Sequence, residues 1–116
     1  MRLSDFESMV RRMTDELPAD FLAGVAEIVV SPRTVAHPER DEIFTLGECV
    51  PLPTGEGSPE GVQSRIVLYH GSFRALAGMR EGFDWREEAW ETLTHELRHH
   101  LEWRARAPDL EALDWA

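Results

Sequence analysis

Apolar residues recur at helical spacing near the start of the chain. The apolar positions between Phe6 and Met13 return every three or four residues, which predicts a first helix. Ser4 and Glu7 stand where a capping box would begin that helix. Pro18 then ends this helix or starts a second, shorter one.

Three short aliphatic stretches predict strands, over residues 26–30, 43–46 and 65–70. The third stretch is apolar on both faces, so we expect it to be buried and central in a sheet. Residues 31–42 and 51–64 contain the prolines and glycines that are typical of surface loops. The middle of the chain is therefore predicted to contain short strands joined by loops.

The last third of the chain has the strongest helical pattern. Asp84 and Glu87 form a capping box at its start, and Pro108 is expected to end it. At about 100° per residue, the apolar positions share one side of this helix: Ala89, Trp90, Leu93, Leu97 and Leu101. The opposite side carries Glu88, Thr92, His95 and His99. We expect the apolar side to face the core and the polar side to face a cleft.

Residues 95–99 of this helix have the pattern His-Glu-x-x-His. Two histidines four residues apart lie one helical turn from each other, where both can bind one metal ion. Glu96 then lies beside the metal and can take a proton from a metal-bound water. The spacing predicts a zinc centre with His95 and His99 as ligands and Glu96 as the general base.

A solvated helix face explains the same residues without a metal, with Glu96 and Arg98 making pairs along the helix. His100 points about 100° away from His99, so we expect a structural or supporting role for it. His37 is a single histidine in a predicted loop, and such residues are usually solvated.

Composition limits the partners and the compartment. The chain has 116 residues, which predicts one domain over residues 1–116. Its formal net charge of −10 argues against binding to duplex nucleic acid or to an anionic membrane. Cys49 is the single cysteine, so no disulfide forms within the chain. The sequence has no apolar signal region or membrane-length apolar run, so we expect a cytoplasmic protein.

Beyond this motif, most of the chain resembles the small bacterial zincin-like metallopeptidases called mini-zincins. The matching segments are Phe6-Glu7, Leu17-Pro18, Ile28–Val30, Glu48–Leu52, Arg65–Tyr69, Thr94–His100 and Leu110–Trp115. The resemblance implies an α+β fold, in which a small twisted sheet packs on helices and the motif helix lies under the sheet. It also implies that a peptide lies along an edge strand and that Trp115 packs beneath the site.

The resemblance is incomplete after the motif. The family has a glycine three residues after the second histidine and an aspartate ligand three residues further, but this chain has Glu102 and Ala105 there. Residues 103–107 have good helix propensity, so we expect the helix to continue for another turn. A third ligand must then come from the tail that returns after Pro108, or be missing.

Three carboxylates follow that proline. Asp109 is the first and is our predicted third ligand, with Glu111 and Asp114 as alternatives. The sequence therefore predicts a zinc-dependent metallopeptidase, a hydrolase acting on a peptide or protein. The alternative is a catalytically inactive interaction module that keeps the zincin fold without competent metal binding. A homodimer that buries some of the four tryptophans is a further expectation.

Overall fold

A computed structural model describes residues 1–40, 43–53 and 62–114, with the side chains of the last stretch described through Arg106. Within these ranges the elements are α1 (Leu3–Glu16), a 3-10 turn (Ala19–Leu22), β1 (Val25–Ser31), β2 (Gly47–Leu52), β3 (Gln63–Tyr69), α2 (His70–Met79) and α3 (Trp85–Asp114). The predicted α+β fold is confirmed.

The three strands form one sheet in the order β1-β3-β2. β3 is central, as predicted from its apolar residues, and it runs parallel to β1 and antiparallel to β2. Its Ile66 and Leu68 side chains are fully buried. β2 and β1 are therefore the two edges of the sheet.

The core lies between the sheet and the helices. α3 packs against β2 and β3, so the motif helix lies under the sheet as expected. Each fully buried aliphatic or aromatic side chain contributes about 1.5–3 kcal/mol to folding. The buried cluster consists of Phe6, Met9, Val10, Met13, Ile66, Leu68, Phe73, Ala89, Leu93 and Leu97. No helix in the described ranges is long and apolar enough to cross a membrane.

The second strand lies later in the chain than predicted. Residues 43–46 contribute one isolated bridge, between Phe44 and Ala36, and are not part of the sheet. The second strand is instead Gly47–Leu52. Pro51 was expected to begin a loop, but it pairs in register with Ser64. An edge strand tolerates proline, because the missing N–H can face away from the neighbouring strand.

Helix ends follow the sequence signals only in part. α1 begins at Leu3 with no side-chain cap, so the capping box predicted at Ser4 is wrong. The cap at Asp84 is confirmed, since its Oδ1 accepts a hydrogen bond of 3.1 Å from the N–H of Glu87. α3 continues past Pro108 to Asp114, so the predicted end at that proline is also wrong. Proline removes one helical hydrogen bond, and the good helix formers around it keep the helical backbone.

Candidate metal centre

His95 and His99 lie on consecutive turns of α3 with their imidazole nitrogens together. The two Nε2 atoms are 3.2 Å apart, and the ring planes are close to perpendicular at 87°. Two nitrogens bound at about 2.0–2.1 Å to one tetrahedral zinc ion lie about 3.3 Å apart. The pair therefore fits a shared zinc ion.

Glu96 lies between these histidines in sequence and is 7% exposed. One of its carboxylate oxygens and a nitrogen from each histidine all lie within 4.8 Å of one another. Burial raises the pKa of Glu96, the charge of Glu48 adds to the rise, and His95 and His99 partly offset it. A carboxylate with a raised pKa beside a metal position is suited to accept and return a proton.

Gly47 allows β2 to approach α3 at this point. A Cβ atom on Gly47 would lie 2.8 Å from Cγ2 of Thr92 and 3.5 Å from Cγ of Glu96. The start of β2 therefore lies directly against the motif helix, beside Glu96. No signal in the sequence identified this role, because the contact joins residues far apart in the chain.

A cleft of about 470 Å³ opens beside the histidine pair. It is lined by His37, Thr45, Leu46, Gly47, Glu88, Glu91, Thr92, His95 and Glu96. His37 is half-buried in the segment between β1 and β2 and lines this cleft. A groove of about 490 Å³ between α1 and β1 is lined by aliphatic, charged and threonine side chains, without histidine or cysteine. The residues that line each space therefore favour the cleft beside His95, rather than this groove, as the functional site.

The buried sector of α3 is rotated from the predicted one. Ala89, Leu93 and Leu97 are buried as expected, but Trp90 is 36% exposed. With His95 set at 0°, the buried positions span about 100–200°, and Trp90 lies outside that arc at about 220°. The sector instead includes the polar positions Glu96 and His100, both buried.

His100 has the supporting role that the sequence predicted. It is fully buried, its Nε2–H donates to the carbonyl oxygen of Ala23 at 2.8 Å, and its Nδ1 lies 2.8 Å from Oγ of Ser64. Arg104 donates to the same carbonyl at 3.1 Å. These contacts attach the helix that carries the histidine pair to the segment before β1 and to β3.

The three carboxylates predicted as candidates for a third ligand lie outside the described side chains. Glu102 and Ala105 are exposed on α3, and the helix continues there as predicted. Asp109 lies on the same helix, ten residues after His99, rather than on a returning tail. Its side chain is outside the described residues, as are those of the alternatives Glu111 and Asp114 and all of Trp115. The assignment of Asp109 therefore stays a prediction.

Two convergent histidines and a buried glutamate, on a helix packed under a small sheet, are the features of a zincin-like domain. The profile described as Zincin-like metallopeptidase matches residues 24–116, and the chain belongs to this family. Among solved structures, a conserved hypothetical protein from Thermus thermophilus is 40% identical, with a TM-score of 0.74. That match covers 90% of this chain and 97% of the other. A search of curated proteins finds no match.

Proposed function

We propose that this protein is a zinc-dependent peptidase whose metal is held by His95 and His99. The observation that carries the proposal is the 3.2 Å separation of the two Nε2 atoms, with Glu96 buried beside them. When bound, zinc acts as a Lewis acid that polarises a carbonyl group and makes water a better nucleophile at neutral pH. The family of the chain supports the same chemistry.

Glu96 moves the protons of the proposed hydrolysis. Its carboxylate accepts a proton from water as the water oxygen bonds to the carbonyl carbon of the substrate. The same carboxyl then gives that proton to the amide nitrogen as the C–N bond breaks, which releases an amine and a carboxylic acid. Burial favours both steps, because it brings the pKa of Glu96 upward, closer to neutrality.

An extended peptide is the substrate class that the surroundings of the site support. β2 is an edge strand, and Leu46 and Gly47 at its start line the cleft. The outer side of an edge strand offers backbone donors and acceptors to a further strand. We propose that the substrate lies along this edge, with its scissile bond at Glu96.

Cleavage of a mixed peptide library by zinc-loaded protein, followed by mass spectrometry, tests the proposal. We expect Glu96→Gln to lower the rate by about 10²–10⁴-fold, the usual contribution of a general base. Glu102→Gln is the matched control, since it makes the same change at an exposed position of the same helix. A wild-type protein that is zinc-loaded, folded and inactive on the library would contradict the proposal.

The second function is an interaction module that keeps the fold without catalysis. Glu102 and Ala105 favour it, because they replace the glycine and the aspartate ligand expected in this family. Trp90 also leaves part of an indole exposed on α3, which a partner or a second copy of the chain would cover. In this case the wild-type protein stays folded but gains no activity with zinc.

A further inference from the structure

His37 shares a cleft with the proposed catalytic residues although it lies about 60 positions earlier in the chain. It lines the same space as His95 and Glu96. The side chains whose ligand atoms lie within 4.8 Å of one another are those of His95, Glu96 and His99, and His37 is not among them. His37 is therefore placed to contact a molecule in the cleft rather than to complete that group.

A hydrogen bond fixes the proton of this ring. The backbone N–H of Glu39 donates to Nδ1 of His37 at 3.1 Å. A neutral imidazole that accepts at Nδ1 carries its proton on Nε2. Nε2 of His37 is then a hydrogen-bond donor without a lone pair for a metal ion, which favours contact with an oxygen.

The backbone around His37 is held by hydrogen bonds to the rest of the fold. The N–H of His37 donates to the carbonyl of Ile43 at 2.7 Å, and the N–H of Thr45 donates to the carbonyl of Val35 at 2.8 Å. The N–H of Val35 donates in turn to Oγ of Ser72, a fully buried residue at the start of α2. The ring is thus presented from an anchored segment, as a preorganised donor requires.

Other polar side chains of the cleft are already engaged or carry the wrong charge. The hydroxyl of Thr92 donates to the carbonyl of Glu88 at 2.8 Å, and the carboxylate of Glu88 pairs with Arg80. Carboxylates such as Glu91 repel a developing negative charge. The imidazole of His37 and the shorter hydroxyl of Thr45 are the side-chain donors that remain in the lining.

We propose that His37 donates its Nε2–H to the carbonyl oxygen of the scissile peptide bond, an inference that rests on the proposed function. When water adds to the carbonyl carbon, the C=O π electrons move onto the oxygen. A hydrogen bond to that oxygen strengthens as its negative charge develops. His37 is then a catalytic residue that lowers the barrier without binding the metal.

The first test compares zinc-loaded wild-type protein with His37→Ala, His37→Gln and Thr45→Val. Loss of one such donor lowers kcat about 10²–10³-fold, so we expect a drop of this size in His37→Ala with little change in KM. His37→Gln keeps an N–H donor and should recover part of the loss. Zinc affinity, measured by competition with a chromophoric chelator, should be unchanged in all three variants.

A second measurement does not depend on activity. Long-range ¹H–¹⁵N NMR spectra of the metal-free protein should show His37 as the Nε2–H tautomer. An Nδ1–H tautomer in these spectra overturns the inference. So does a His37→Ala variant that keeps full kcat or loses zinc affinity. A loss of kcat in Thr45→Val instead of His37→Ala also overturns it. A zinc-loaded wild-type protein that cleaves no peptide overturns the proposed function as well, whereas an active wild type with an unaffected His37→Ala overturns this inference alone.

Discussion

Nδ1 of His100 lies 2.8 Å from Oγ of Ser64, and both residues are fully buried. This contact joins the motif helix to the central strand at the residue that directly follows His99. The turn of α3 that carries the second histidine of the proposed metal pair is therefore attached to the core by a polar contact.

His100→Ala should lower the free energy of unfolding by about 2–4 kcal/mol, because it leaves a cavity and removes one hydrogen bond from Ser64 and one from the Ala23 carbonyl, which keeps its contact with Arg104. Urea unfolding followed by tryptophan fluorescence measures the change. Ser64→Ala removes the hydroxyl that contacts His100 and Cys49 but leaves a far smaller cavity, so it should cost less, about 1–2 kcal/mol. A loss below about 1 kcal/mol in His100→Ala would show that the contact does not support the helix.

Gly47→Ala should destabilise the protein by about 1–3 kcal/mol and lower the proposed peptidase activity, because the new Cβ atom has no room beside Thr92. To make room for this Cβ atom, either β2 or α3 must shift near Glu96. Thermal unfolding and the peptide-cleavage assay measure the two effects. Thr92→Ser removes the methyl group 2.8 Å away and should restore part of both losses in the double variant.

Gly78→Ala is the matched control for this substitution. A Cβ atom on Gly78 meets nothing within 4 Å, and the residue lies in α2. Alanine there should be neutral or stabilise by up to about 1 kcal/mol, as expected in a helix. Equal effects of the two alanines would contradict the close packing of β2 on α3.

Cys49 should react slowly with iodoacetamide in the folded protein. Burial raises the pKa of its thiol, and a hydrogen bond with Ser64 lowers it by less. Because the thiolate is the nucleophile, a raised pKa leaves less reactive species at a given pH. The midpoint of the rate against pH should lie higher in the folded protein than in the protein unfolded in urea. A folded midpoint at or below the unfolded one would contradict this environment.

Restoring the family pattern should strengthen zinc binding. We expect the double variant Glu102→Gly and Ala105→Asp to bind zinc more than tenfold more tightly, a gain of about 1.4 kcal/mol or more. Glycine weakens the helix at this point by about 1 kcal/mol, which helps the chain turn the new carboxylate toward the histidines. Competition with a chromophoric chelator measures the affinity.

Ala105→Asp alone is the control for this change. The carboxylate then lies on an uninterrupted α3, so the single variant should gain less than the double one. An equal affinity in wild type and double variant would mean that the helix does not turn at residue 102.

The sequence predicts the features that depend on local pattern. The apolar residues of β3 identified the central strand, Asp84 identified the start of α3, and the His-Glu-x-x-His spacing identified the pair that converges. Each of these follows from periodicity or capping within a few residues, which a single sequence carries in full.

Features that depend on distant contacts were not predictable. Pro51 lies in a strand because that strand is an edge, and edge position is set by the whole sheet. Gly47 packs against residues of α3 far along the chain, and His37 shares a cleft with residues of the same helix. Trp90 is partly exposed because the core also takes in two polar residues of the helix, which an apolar pattern cannot indicate.

Zinc content of protein purified without added metal tests the central claim most directly. We predict about one zinc ion per chain in the wild type, its loss in His99→Ala, and its retention in Arg98→Ala. Arg98 is the matched control, since it is exposed on the same turn of α3. Wild-type protein that takes up no zinc from a micromolar supply, or His99→Ala that keeps a full complement, would contradict the account.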